Sequence, residues 1–367
     1  ILVVVQFTIS TTLIIGTIVV YNQIEFAQNR PIGYSKDGLV MVGMSDEIHK
    51  HFEAVRNELI TAGAIVEICQ SGSPTTSVWN TNGGFDWEGK DPDQAVDFPN
   101  NAVSYDYGKT IGWKIKEGRD FSKEFISDTA TFILNESAVA FIGLKDPVGK
   151  VIRWNGQPFT VIGVVEDLLV QSPYAPVRPS MWHLSLEEQN VFLLKLNPQS
   201  SVKDALAKVE TVFKRLNPAA PFAPTFVDEE YARKFGNEKR LGTLSTFFAI
   251  LAIFISCLGL FALASFVAEQ RTKEIGIRKV MGASVSNLWR MLSQDFVILV
   301  LISSLIATPI AYYLISDWLD NYEYRTGISV WVFVVSILGG LVITLLTVSY
   351  QAIKASLMNP VKSLRNE

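Results

Sequence analysis

Four stretches of the chain, residues 1–21, 247–267, 296–315 and 330–350, contain no Asp, Glu, Lys, Arg or His. Each has about the twenty residues a helix needs to cross the hydrocarbon core of a bilayer. No other feature restricts the fold as strongly. Backbone in lipid must satisfy its own hydrogen bonds, which leaves helices or closed barrels. The reading is four membrane helices, over residues 1–22, 241–267, 293–316 and 330–352. Gln6, Ser and Thr in the first are polar groups that membrane helices tolerate. Pro309 in the third predicts a kink, and Gly339-Gly340 in the fourth permits close helix contact.

The chain opens abruptly in an apolar run, without a basic n-region or an A-x-A cleavage site. That argues against a signal peptide and predicts a cut in or beside a span of a longer protein. Net charge is −4, which leaves no footprint for nucleic acid. Cys69 and Cys257 lie far apart, the second inside a span, so no disulfide is expected between them.

Residues 23–240 form one hydrophilic domain between the first two spans. Residues 39–44, 47–62 and 64–69 read as strand, helix and strand. Ile48, Phe52, Val55, Leu59 and Ile60 recur at helical spacing. A second such trio falls at 191–196, 202–216 and 224–227. These two βαβ-like units predict a mixed α/β fold with an approximate repeat, each forming a parallel pair through a right-handed crossover. Between them lies a β-rich second lobe. Residues 103–117 and 157–165 read as strands, 131–134 as a strand leading into a helix at 136–142, and Asn82-Gly83 as a hairpin turn. Residues 229–241 read as a charged helix running directly into span two.

Residues 268–292, AEQRTKEIGIRKVMGASVSNLWRML, join spans two and three. Arg271, Lys273, Arg278 and Lys279 stand there against Glu269 and Glu274. Glu269→Lys273 and Glu274→Arg278 have the i,i+4 spacing and orientation that support a helix. Ile275, Ile277 and Met281 add apolar surface. Gly282 suits the C′ position of a helix, and Ser284 can N-cap the next. The bland alternative is a stop-transfer loop whose charges only set topology. Residues 353–367 carry Lys354, Lys362 and Arg365 against Glu367, whereas residues 317–329 carry Asp317, Asp320 and Glu323 against Arg325. Basic loops stay inside. The 268–292 segment and the tail are therefore cytoplasmic, and residues 23–240 and 317–329 lie outside the cytoplasm.

Several chemistries are missing. Uncharged spans argue against a proton- or ion-coupled transporter, which keeps ionisable groups at mid-membrane. Gly108-Lys109-Thr110 imitates the end of a phosphate loop, but Val103 stands where its first Gly belongs. His49-x-His51 lacks further metal ligands, and His183 lacks a nucleophile motif beside it, so neither a metal centre nor an enzyme is expected. Any work must be driven by a partner, and a short amphipathic helix is the right shape to dock in a partner's groove.

These residues resemble a known family. RTKEIGIRKVMGAS is similar to the FtsX-like permease signature R-x-x-E-I-G-[IL]-R-[KR]-A-x-G-A of the MacB and lipoprotein-releasing branch of ABC transporters. It matches at Arg271, Glu274, Ile275, Gly276, Ile277, Arg278, Lys279, Gly282 and Ala283, with Val280 in place of the common Ala. Ala355, Asn359-Pro360-Val361 and Leu364-Arg365 resemble the family's closing motif. Leu134-Asn135-Glu136-Ser137-Ala138, Asp146-Pro147-Val148-Gly149-Lys150 and Val161-Ile162-Gly163-Val164-Val165 resemble a MacB-like periplasmic core domain. Glu238-Lys239-Arg240-Leu241-Gly242 and Cys257-Leu258-Gly259-Leu260-Phe261 resemble a branch found in Bacteroidetes-like bacteria, where two four-span halves often share one chain.

The resemblance implies a multi-pass inner-membrane permease subunit that binds no cofactor and has no catalytic or metal site. ATP would be bound by a separate cytoplasmic ABC ATPase dimer. The ATPase-coupling residues would be Arg271, Glu274, Ile275, Gly276, Arg278, Lys279, Gly282 and Ala283. The permease would pair with a second half or a second copy, and in some members with a periplasmic adaptor and an outer-membrane channel. Export of peptides, antibiotics or lipoproteins is the implied function. The alternative is an FtsX-like signalling permease that controls a periplasmic cell-wall hydrolase without transport, and a third reading is a sensory membrane protein lacking an ATPase.

Overall fold

The computed structural model describes residues 1–187 and 189–357. It divides into two compact units, residues 30–235 and a helical unit made of residues 1–29 with 236–367. In chain order, α1 (Leu2–Gln28) is followed by β1 (Leu39–Gly43), α2 (Asp46–Lys50), α3 (Phe52–Thr61) and β2 (Ile65–Ser71). Then come β3 (Thr81–Asn82), β4 (Phe85–Asp86), β5 (Phe98–Val103), α4 (Tyr107–Ile111), β6 (Ile115–Gly118), β7 (Thr131–Asn135) and α5 (Glu136–Ile142). The domain ends with β8 (Val151–Trp154), β9 (Gln157–Val165), β10 (Met181–Leu184), β11 (Val191–Leu196), α6 (Val202–Leu216), β12 (Thr225–Phe226) and α7 (Val227–Arg233). The helical unit resumes with α8 (Gly236–Gln270), α9 (Thr272–Val280), α10 (Val285–Leu319) and α11 (Val330–Leu357).

The domain is the expected mixed α/β fold with two lobes, but its pairing corrects one expectation. β1 and β2 do not pair with each other; both lie antiparallel to β11. β12 in turn lies antiparallel to β1. Lobe one therefore has the order β12-β1-β11-β2. Each βαβ unit is split by a strand of the other, the interlocked ferredoxin-like arrangement. Alternate residues of the central strands serve two cores: Val40, Phe192 and Leu194 pack with α3 and α6, while Leu39, Cys69 and Leu193 pack with Tyr107 and Trp182. Strands buried on both faces read as continuous apolar runs.

Lobe two is inserted between β2 and β11, in the order β5-β10-β7-β9-β8-β4. Its core is aromatic: Phe85 meets Phe98 edge to face, stacks on Trp154 and lies tilted against Phe132. Several local expectations are corrected. Residues 103–117 are not one strand. α4 interrupts them and is closed by Gly112 in the left-handed region, φ 67°. The alternating Val103, Tyr105 and Tyr107 imitated a strand. Asn82-Gly83 is no hairpin, because β3 pairs with β5 and β4 with β8. The helix expected over 47–62 breaks at His51, φ −109° and ψ 20°, whose N–H turns back to Ile48 O at 3.2 Å. The helix expected over 229–241 ends at Arg233, and α8 starts afresh at Gly236.

The candidate chemistries resolve into structure. Lys109 Nζ is paired with buried Glu67 at 2.7 Å, and Gly108 packs under Trp113 and Asp120, so this stretch is an interior helix rather than a phosphate loop. Arg56 holds the other side of the Glu67 carboxylate at 2.6 and 2.8 Å. Burial alone would raise the Glu67 pKa; these two cations and the Ile68 N–H outweigh it and hold it below the ordinary value. His183 is buried, and its Nδ1 faces Asn100 Oδ1 at 2.8 Å.

In the helical unit, α1, α8, α10 and α11 are each long and apolar enough to span a bilayer. α1 packs on α8 and α10, and α10 on α11. Their buried polar contacts are uncharged: Ser10 Oγ meets Ser256 Oγ at 3.0 Å. Gln23, fully buried, donates to Tyr324 O at 2.9 Å and accepts from Thr326 N at 2.7 Å, which ties the end of α1 to the α10–α11 loop. α10 continues through Pro309. A Cβ at Gly340 would meet Val300 only at 3.9 Å and one at Gly339 would meet nothing within 4 Å, so neither glycine is required for close helix contact here.

Burial pushes the His183 pKa down to about 4. The unfolded chain takes up this proton near pH 6.5, and the folded chain only near 4. Stability from His183 is therefore complete above about pH 6.5 and is lost on acidification, about 3 kcal/mol by pH 4. Thermal unfolding of the chain across this window should show that slope, and His183→Gln should flatten it.

Candidate coupling segment

α8 stops at Gln270 because the backbone leaves the helix at Arg271, φ −89° and ψ 10°. Thr272 Oγ1 closes the end of α8 by donating to Ala268 O at 3.1 Å and Glu269 O at 2.7 Å. Two-turn α9 follows. Its far end is a Schellman closure: Ala283 N donates to Arg278 O at 2.9 Å and Gly282 N to Lys279 O at 3.1 Å. Gly282 occupies C′ with φ 90°, and Ser284 caps α10 by accepting from Asn287 N at 3.3 Å. Both terminal residues therefore take the positions read from the sequence.

Three of the candidate residues lie on the inner side of this turn. Ile275, 4% exposed, packs with Ala268, Leu288 and Leu292, and Ala283 sits at the rim of the same cluster. Gly276 is buried beside Ile275, where α9 lies against α8 and α11. A glycine inside a helix costs about 0.5–1 kcal/mol relative to alanine. That cost falls on a residue at the contact face of α9. Trp289 Nε1 donates to Ser349 Oγ at 2.8 Å, which ties the start of α10 to α11.

The outer side is mixed. Arg278 pairs with Glu274 at 2.7 Å, as the i,i+4 spacing predicts. Glu269 and Lys273 form no ion pair, because the break at Arg271 separates them. Arg271 instead reaches Asp295 of α10 at 3.0 Å. Around these charges, Ile277, Val280, Met281 and Val285 are exposed, Val280 at 68% and Met281 at 81%. Apolar side chains this open, on a short helix held at both ends, form a surface that another protein can cover.

Asp295, Trp289 and Ser349 were not legible in the sequence, because their contacts follow from how α8, α10 and α11 pack. Leu288 and Leu292 carried a usable signal, the i,i+4 apolar spacing of one helix face. Arg290 adds a fifth basic side chain to the four counted above. The closing motif from Asn359 to Arg365 lies outside the described residues. His49 is bonded to Gln70, and no group of three metal-ligating side chains occurs among the described residues.

Comparison with known proteins places these features in a family. Residues 2–212 match the MacB-like periplasmic core domain, and residues 246–360 match the FtsX-like permease C-terminal model. The chain belongs to the MacB/FtsX-type ABC transporter permeases, whose members work with an ATPase. It is 27% identical over 219 residues to the macrolide export ATP-binding/permease protein MacB of Campylobacter fetus, covering 55% of this chain and 33% of that protein. It is 22% identical over 292 residues to the ABC transporter permease YknZ of Bacillus subtilis, covering 75% and 72%. The chain thus spans about a third of the length of the MacB proteins it matches. The crystal structure of the periplasmic region of MacB from Actinobacillus actinomycetemcomitans aligns with TM-score 0.40 and 16% identity, covering 56% of this chain and 96% of that one.

Gly282→Ala should test the turn. The added Cβ meets nothing within 4 Å, so the effect is backbone strain alone, about 1–2 kcal/mol. Hydrogen exchange at residues 275–290 should quicken accordingly, with residues 300–310 unchanged.

Proposed function

We propose that this chain is the permease subunit of an ABC system of the inner membrane, and that α9 is the element through which a cytoplasmic ATPase dimer moves it. The observation that carries the reading is the construction of α9: Ile275 is locked into the helical unit while Ile277, Val280 and Met281 stand open beside Arg278. A helix that is rigidly attached on one side and sticky on the other transmits displacement. The uncharged spans support the same reading, since they offer no ion pathway of their own.

ATP is then bound by the partner, and Arg271, Glu274, Ile275, Gly276, Arg278, Lys279, Gly282 and Ala283 form the coupling set. Ile275, Gly276, Gly282 and Ala283 hold α9 in shape, while Arg278 and Lys279 meet the partner. The permease acts with a second half or a second copy. Its movement is delivered to the domain of residues 30–235, which handles the substrate outside the cytoplasm. Macrolide export is what the MacB relatives are named for. For this chain, the proposed cargo class is peptides, antibiotics or lipoproteins.

Reversing both charges, Arg278→Glu with Lys279→Glu, should abolish nucleotide-dependent co-purification of the ATPase, a loss of at least tenfold. The Met281→Asp variant should act in the same direction. Undiminished binding in both variants would refute the docking role of α9.

A further inference from the structure

The two chain ends of the domain converge on one loop. Residues 166–180 connect β9 to β10 in lobe two. From the entry side, Arg30 Nη1 donates to Pro173 O at 3.0 Å and Ala175 O at 2.6 Å. Leu169 N donates to Ile32 O at 2.9 Å. Gly33, φ 79°, lies so close that a Cβ there would strike the Asp167 carbonyl. From the exit side, Lys234 Nζ donates to Val170 O at 2.5 Å and to Gln171 O. Phe235, 1% exposed, meets the Tyr174 ring edge to face at 5.8 Å.

The loop is equally fastened to lobe two. Asp167 accepts from Ser137 N at 2.9 Å and Ser137 Oγ at 2.6 Å, at the first turn of α5. Asn135, which caps α5, donates to Arg178 O at 3.0 Å and accepts from Ser180 N at 2.8 Å. Both membrane-linked ends thus hold the same backbone segment through cations bonded to carbonyls. Charge-assisted bonds of this kind are roughly twice as strong as neutral ones.

We infer that Arg30 and Lys234 are positioning residues that clamp loop 167–175, so that displacement of α1 or α8 enters the domain through this loop and reaches β7, α5, β9 and β10 of lobe two before the β1–β11–β2 sheet of lobe one. Arg30 follows α1 by two residues and Lys234 precedes α8 by two. The inference rests on the reading that the membrane helices move. Its test needs no ATPase, so the clamp can fail while that reading stands.

The test is hydrogen exchange of the full chain in lipid nanodiscs. Arg30→Gln with Lys234→Gln should speed exchange at residues 168–176 by about tenfold, the loss expected for bonds to charged groups. Residues 39–43 and 191–196 should be unchanged, and Arg30→Lys with Lys234→Arg should restore most of the protection. A second perturbation is applied in the membrane unit. Gln23→Met removes the tie between α1 and residues 324–326, and should raise exchange at 168–176 in the native background and add nothing when the clamp is absent. The inference is overturned if Gln23→Met leaves 168–176 unchanged in the native background, if its effect persists undiminished without the clamp, or if residues 39–43 respond as strongly as the loop.

Discussion

Everything in this molecule depends on the cost of placing polar groups in hydrocarbon. Four helices whose membrane-spanning stretches are free of charge satisfy their backbones internally and bury hydroxyl and amide side chains there, as in the Ser10–Ser256 and Gln23–Thr326 contacts. Among the described residues, the spans hold no Asp, Glu, Lys, Arg or His side chain at mid-membrane. Charge is confined to segments outside the spans, and there it is concentrated on α9 and around the buried carboxylates of the domain.

The domain of residues 30–235 is tied together within itself. Two split βαβ units interlock, so neither can unfold without breaking strands of the other. Glu67 gathers Arg56 and Lys109 beneath the sheet, and Asp128 is bound by Arg119 at 2.6 and 2.8 Å. In each case the carboxylate is buried while its cations reach solvent, so removing the cations would leave a buried charge unpaired.

Much of this was legible in the sequence. The uncharged runs announced the membrane helices, and the Glu274–Arg278 spacing, Gly282 and Ser284 announced α9 and its closure, whereas the Glu269–Lys273 spacing straddles a break. The trios at each end of the domain announced βαβ units. Their interlocking was hidden, because register between strands more than a hundred residues apart has no local signal. α4 was hidden because Val103, Tyr105 and Tyr107 alternate like a strand, while the helix is fixed by Gly112 and by packing under Trp113. The Arg271–Asp295 pair and the grip of Arg30 and Lys234 on one loop join residues distant in sequence, and only folding brings them together.

The account requires α9 and the domain to lie on opposite faces of the membrane. Met281 and Asn155, both exposed, can be replaced by cysteine one at a time, with Cys69 buried and Cys257 inside a span. In intact spheroplasts, a membrane-impermeant thiol reagent should label Asn155→Cys at once and Met281→Cys only after permeabilisation. Labelling of both from the same side would contradict the account.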